Sequence, residues 1–177
     1  DHRVPSAHPD GAVMAEVPVL RTPWTTRELL AAYAQAWRDL IGGEPTRTAL
    51  ALLWAQASLE CGRNGKSCFS HNVGNLMAFS SWKGSYHVLR SAPECGDPNN
   101  LPPGATRLIT SQVACAPGKV PYIPAGGSRF RSYESFAEGC HDKLGVLAKQ
   151  WPRAVDALIS ADEPADAEAF VRGLAGY

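Results

Sequence analysis

From Ala49 to Leu59 the chain reads ALALLWAQASL, with Gln56 and Ser58 as its only polar side chains. A segment that is apolar nearly all round predicts a helix in the middle of the fold rather than on its surface. It delivers Glu60 and then breaks at Cys61-Gly62-Arg63-Asn64-Gly65, a glycine-rich stop of the kind that ends helices. An earlier helix is expected from Thr25, where Thr25-Thr26-Arg27-Glu28 reads as a capping box. Its apolar positions, Leu30, Tyr33, Trp37, Leu40 and Ile41, follow a period of about 3.6 residues. Gly42-Gly43 ends it and Pro45 is placed to open the central helix, so the two should pack together across a short turn.

After Gly65 the pattern changes. Residues 66–133 hold most of the glycine, proline and asparagine, with β-prone runs at 85–89 and 129–133. These predict loops and a small irregular sheet or hairpin. A stretch this long without regular structure points to function, so binding is expected in this lobe. Helices return at the capping box Ser135-Phe136-Ala137-Glu138, with Phe136, Cys140, Leu144, Leu147 and Trp151 facing inward. Pro152 opens a short helix with Val155, Leu158 and Ile159 inward. Pro164 opens a last one with Phe170, Val171 and Leu174 inward, and Gly176 as its C-cap. Residues 1–24, with five scattered Pro and Gly positions and no periodicity, read as an extended arm or linker before one domain over 25–177. The expected class is α+β, predominantly α, with one inserted β lobe.

Charge and composition narrow the function. Lys and Arg number 17, as do Asp and Glu, so no electrostatic case for nucleic acid arises. No apolar run approaches the roughly 18 residues needed to span a bilayer. The opening DHRVPSAHPD lacks the basic, apolar and cleavage regions of a signal peptide. Five cysteines favour an oxidising compartment and leave at least one thiol unpaired. Cys95 and Cys115 flank the proline-rich stretch from Asp97 to Pro117, and a bridge between them would staple it. Cys61 and Cys68 are a second possible pair, although spacing alone does not decide connectivity.

The chemistry centres on Glu60. A carboxylate in the last turn of a helix faces the negative end of the macrodipole, and partial burial adds to that effect. Both raise the pKa, which suits a general acid that keeps its proton near neutral pH. The plainer alternative is a glutamate that surfaces where its helix does. Glu94 and Asp97 are the acidic candidates across the β lobe. Two carboxylates, one on a helix end and one on a loop facing it, are the minimal set for cutting a glycosidic bond. Trp82, Tyr86, Tyr122, Phe130 and Tyr133 could stack on sugar rings or form a minor core. Cys61, Cys68, His71, Cys140 and His141 lack zinc-site spacing, and no H-E-x-x-H, P-loop, dinucleotide fingerprint or G-x-S-x-G occurs. No metal and no cofactor are expected.

Four motifs resemble the peptidoglycan-cleaving glucosaminidase family, the flagellar-rod muramidase and autolysin type within the lysozyme-like superfamily. Ala55-Gln56-Ala57-Ser58-Leu59-Glu60-Cys61-Gly62 resembles the family's A-Q-x-x-L/H-E-S/T-G helix, whose glutamate is the general acid. His71-Asn72-Val73-Gly74-Asn75-Leu76-Met77 resembles its N-N-x-F-G-I-K turn. Phe130-Arg131-Ser132-Tyr133-Glu134-Ser135 matches F-R-x-Y-x-S, and Leu174-Ala175-Gly176-Tyr177 resembles L-x-x-x-G-Y. They arrive in family order between Thr25 and the end. Asn75 stands where many members have glycine, and Met77 where they have lysine. Relatives also continue past the position of Tyr177 with a T-D motif and a further helix.

The resemblance implies a lysozyme-like domain whose central helix and β lobe line a cleft. It implies a peptidoglycan hydrolase of N-acetylglucosaminidase type, with Glu60 and Glu94 catalytic and Asn72, Asn75, Trp82, Tyr133 and Tyr177 binding substrate. A lytic transglycosylase, a muramidase, a chitinase and an inactive glycan-binding domain are the alternatives. The partner expected is the glycan strand, met by a monomer in the periplasm or beyond; an immunity protein would accompany an antibacterial effector.

Overall fold

A computed structural model describes residues 15–90, 92–109, 113–162 and 166–175. The chain divides into two compact units: residues up to Pro18 with Met77–Arg131, and Val19–Leu76 with Ser132–Tyr177. The described residues hold five helices and two small antiparallel sheets, an α+β fold that is mostly α.

All five helices belong to the second unit. They are α1 (Thr26–Leu40), α2 (Arg47–Cys61), α3 (Phe136–Gln150), α4 (Pro152–Ile159) and α5 (Ala167–Gly173). The capping box at Thr25 closes as expected: its hydroxyl accepts from the Glu28 N–H, and the Glu28 carboxylate accepts from the Thr25 N–H at 2.8 Å. Ser135 caps α3 in the same way. There the Glu138 carboxylate reaches the N–H of Glu134, one residue earlier than a closed box. Pro152 opens α4. Helix α2 is capped by Thr46, whose hydroxyl accepts from the Ala49 N–H at 3.0 Å while donating to the Ala161 carbonyl, so Pro45 lies just ahead of the cap rather than in the first turn.

Helix α1 packs chiefly on α3, and Leu29, Tyr33, Trp37, Leu53, Cys140, Leu144 and Leu147 share the buried core. Trp24, inside the expected arm, is also part of that core. Helix α2 is not enclosed all round. Its buried stripe is Ala49, Leu53, Gln56, Ala57 and Cys61, whereas Leu59 is 86% exposed. Ile159 and Val171, expected inward, are exposed; Ala154 and Phe170 fill the inward positions of α4 and α5. Pro164 and Gly176 lie outside the described residues.

The first unit carries the strands. The two β-prone runs are strands as expected, and they pair with each other, β1 (Tyr86–Leu89) against β5 (Ser128–Arg131), with Tyr86 opposite Arg131. A second sheet places β4 (Val120–Ile123) between β2 (Glu94–Gly96) and β3 (Thr106–Arg107). The Cys95–Cys115 disulfide links β2 to the segment before β4. Residues ahead of Pro18 add to β1: Val17 N–H donates to the Tyr86 carbonyl, and Tyr86 N–H to that of Ala15.

His87, 1% exposed on β1, stacks on Phe130. Burial holds its imidazole down to about 4. A base depressed in the folded state contributes stability that is complete above its unfolded pKa, about 6.5, and disappears as pH falls toward 4. Acid should therefore weaken the fold by up to about 3 kcal/mol across that window. Urea titrations at stepped pH should show this slope, and His87→Leu should remove that part of it.

Candidate active site around Glu60

Glu60 is the penultimate residue of α2, and the helix ends because Gly62 takes φ 71°. A single 3-10 turn, Arg63–Gly65, redirects the chain. Gly65 lies so close under the Trp24 indole that a Cβ would fall 2.5 Å from the ring. Glu60 itself is half-buried. Burial raises its carboxyl above the ordinary carboxylate range; the charge of Lys143 and a hydrogen bond from the Asn75 amide oppose that rise. The same amide donates to the Glu60 backbone carbonyl at 2.6 Å, which ties the end of α2 to the following loop.

That loop holds unusual backbone. Asn64, Ser70, His71 and Asn75 are the described non-glycine residues with positive φ. Asparagine tolerates the left-handed region better than most residues, which accounts for Asn75 at a position where glycine is common in the resembled motif. Strained backbone persists only where its surroundings over-determine it. Here the surroundings do so. Asn72, expected to bind substrate, is buried, with its amide donating to the Leu76 carbonyl and accepting from the Leu76 N–H, both at 2.8 Å. Thr22 Oγ1 accepts from the His71 N–H, and His71 Nδ1 lies 2.9 Å from the Tyr133 carbonyl. Tyr133 N–H donates to Ser70, and the Tyr133 hydroxyl donates to Asp142 at 2.5 Å. The second and third sequence motifs thus meet in one hydrogen-bonded loop behind Glu60.

Three thiols, Cys61, Cys68 and Cys140, are buried beneath the loop and unbridged. The possible Cys61–Cys68 disulfide is therefore not formed. Instead the Cys61 thiol donates to Cys68, and that bond together with burial pushes Cys61 up; Cys68, receiving it, is held lower. Among the described residues no group of three or more His, Cys, Asp or Glu could hold a metal ion.

Lys143 is the component that sequence reading missed. It is 0% exposed, on the inward face of α3. The signal was present, since residue 143 follows Cys140 by three and precedes Leu147 by four, inside the apolar stripe.

In the first unit, Glu94 opens β2 rather than sitting on a mobile loop, because it pairs in register with Tyr122. The Tyr122 hydroxyl donates to its carboxylate at 2.9 Å. Trp82 is half-buried; its indole N–H donates to the Ser85 carbonyl at 2.9 Å, and the Arg131 guanidinium lies over the ring at 4.7 Å from the centroid. Tyr86 and Tyr122, two of the candidate sugar-stacking aromatics, are buried. Tyr177 lies outside the described residues.

No family model and no curated protein matches the sequence. Among solved structures the chain is similar to the glycoside hydrolase domain of FlgJ from Salmonella typhimurium, at 22% identity over 86% of this chain and 76% of that one, with a TM-score of 0.46. It is similar to a C-terminally truncated form of that domain at 21% identity, over 82% of this chain and 85% of that one, with a TM-score of 0.48. A peptidoglycan hydrolase mutant from Sphingomonas sp. A1 shows 22% identity over 85% of this chain and 81% of that one, with a TM-score of 0.47. A glycoside hydrolase domain and a peptidoglycan hydrolase are thus among the solved structures that this chain is similar to.

Proposed function

We propose that the protein hydrolyses the β-1,4-linked glycan strand of peptidoglycan at the N-acetylglucosamine side, with Glu60 as general acid, in a lysozyme-like domain. The observation that supports this most is the state of Glu60: half-buried at a helix C-terminus, with its carboxyl raised by burial and its backbone held by Asn75. A carboxyl raised above the ordinary range is shifted toward the protonated form that leaving-group protonation requires.

In the reaction, the Glu60 proton passes to the glycosidic oxygen as the bond from that oxygen to the anomeric carbon breaks. The electron pair leaves with the oxygen, and positive charge develops on the sugar. Glu94, whose carboxylate accepts from the Tyr122 hydroxyl, would serve as the second carboxylate in this scheme, stabilising that charge or orienting the incoming water. The substrate's acetamido group is the other candidate for this role, a recognised exception to the two-carboxylate scheme. Water adds at the anomeric carbon and its proton returns to a carboxylate. Asn75, Trp82, Tyr133 and Tyr177 would hold sugar groups, and Asn72 would keep the loop in shape.

A wall-cutting enzyme meets its substrate outside the cytosol, and the Cys95–Cys115 bridge suits an oxidising compartment. No helix among the described residues is long and apolar enough to cross a membrane.

Mass spectrometry of digested sacculi tests the proposal. Reducing N-acetylglucosamine ends are expected. Anhydro-muramoyl ends would replace hydrolysis by lytic transglycosylation, reducing muramoyl ends would make it a muramidase, and turnover of chitin alone would make it a chitinase. Binding without product would leave a glycan-binding domain.

A further inference from the structure

Lys143 stands out from every other described lysine: its side chain is entirely enclosed. A buried ammonium is costly unless an anion or hydrogen-bonding groups compensate it. Its path through the core is defined by Gly74. A Cβ on Gly74 would fall 2.5 Å from Lys143 Cδ and 2.8 Å from Nζ, so only the missing side chain leaves room for the ammonium. Gly74 is followed directly by Asn75, whose amide holds the Glu60 carbonyl. The ammonium is therefore seated against the loop that fixes the end of α2, where the charge of Glu60 acts on it.

We propose that Lys143 is a positioning residue for Glu60: its buried ammonium, seated on Gly74, faces the Glu60 carboxyl from α3 and decides when that carboxyl gives up its proton. The proposal rests on the reading of Glu60 as the general acid, for which it supplies the regulation. The other titratable groups around Lys143 and Glu60 are Cys61, beside Glu60 on α2 and acting on Lys143, and Tyr33 from α1, on which Glu60, Cys61, Cys68 and Cys140 all act. Burial pushes Cys140 and Tyr33 upward, which keeps both protonated and neutral around pH 7. Burial also brings Lys143 down to about 8, while Glu60 and Cys61 pull it back. The ammonium thus remains mostly charged at neutral pH, where it opposes the rise that burial imposes on Glu60.

Removing a cation from beside a carboxyl raises that carboxyl's pKa, by about 1 to 3 units for a close partner. Lys143→Met, an apolar replacement of similar length, should move the Glu60 side-chain titration upward by that amount, followed by carbon-13 NMR of the carboxyl and assigned with Glu60→Gln. Because a general acid works while protonated, glycan release by Lys143→Met should persist to correspondingly higher pH. The reciprocal arm uses Glu60→Gln: loss of the facing anion should lower the Lys143 ammonium titration by a matching amount, since coupling between two sites is mutual. That arm decides the matter should Lys143→Met fail to fold. An unmoved Glu60 titration in folded Lys143→Met, or an unmoved Lys143 titration in Glu60→Gln, overturns the proposal. Moved titrations with a pH profile of glycan release that stays in place support the Lys143–Glu60 coupling and overturn the acid role instead.

Discussion

Glu60→Gln should fold as the parent does and release soluble glycan at least about 10² to 10⁴ times more slowly, the range associated with loss of general acid catalysis. Glutamine keeps the size of the side chain and can still donate a hydrogen bond, but it has no proton to transfer to a leaving oxygen. The bond that secures this end of α2 runs from Asn75 to the Glu60 backbone carbonyl, and the substitution leaves it intact. Circular dichroism should therefore match the parent. The parent's own pH profile carries a matching signature. Its rate should fall as pH rises through the Glu60 pKa, which burial places above the ordinary carboxylate range. Near-normal release by folded Glu60→Gln would remove Glu60 from the mechanism.

Gly139→Ala should be among the most damaging single changes to the fold, for a purely steric reason. Gly139 is buried near the start of α3, and a Cβ there would fall 2.0 Å from the His71 carbonyl oxygen. The obstacle is backbone, and it has little freedom to retreat. His71 already sits at φ 56°, its N–H bonded to Thr22 and its ring to the Tyr133 carbonyl. Either α3 moves outward or the loop does. Overpacking of this kind costs roughly 3 kcal/mol. Displacing the loop also disturbs Asn75, so activity should fall along with stability. Gly145 provides the control on the same helix, because nothing lies within 4 Å of the corresponding Cβ. Gly145→Ala should be stabilising by about 0.5 to 1 kcal/mol, as expected for removing glycine from a helix interior. Urea denaturation of both variants separates the two effects.

Local signals in the sequence were strong wherever one residue type does one job. Thr25, Ser135 and Pro152 mark the starts of three helices because capping and the fixed proline φ act within a single turn. The runs that became β1 and β5, and the cysteines flanking the proline-rich stretch, were legible for similar reasons. What depends on tertiary direction was not. The apolar character of α2 extends round the whole helix, so its sequence carries no preference for a side, and packing left Leu59 in solvent. Glu94 lies in a proline-rich region with no alternation to reveal a strand, and its pairing is settled by Tyr122 across the sheet. Of the proposed site, Glu60 and Asn75 carry a motif signal, whereas the charge acting on Glu60 comes from a helix about eighty positions later. Only the placing of α3 against the loop after α2 brings Lys143 there.

The proposed hydrolysis adds water across a glycosidic bond. Purified sacculi digested in heavy-oxygen water, with the soluble fragments read by mass spectrometry, test it most directly. The parent should form fragments whose new reducing end is N-acetylglucosamine carrying one heavy oxygen, and these should be nearly absent with Glu60→Gln. Soluble fragments without the label, or equal labelled product from Glu60→Gln, would contradict it.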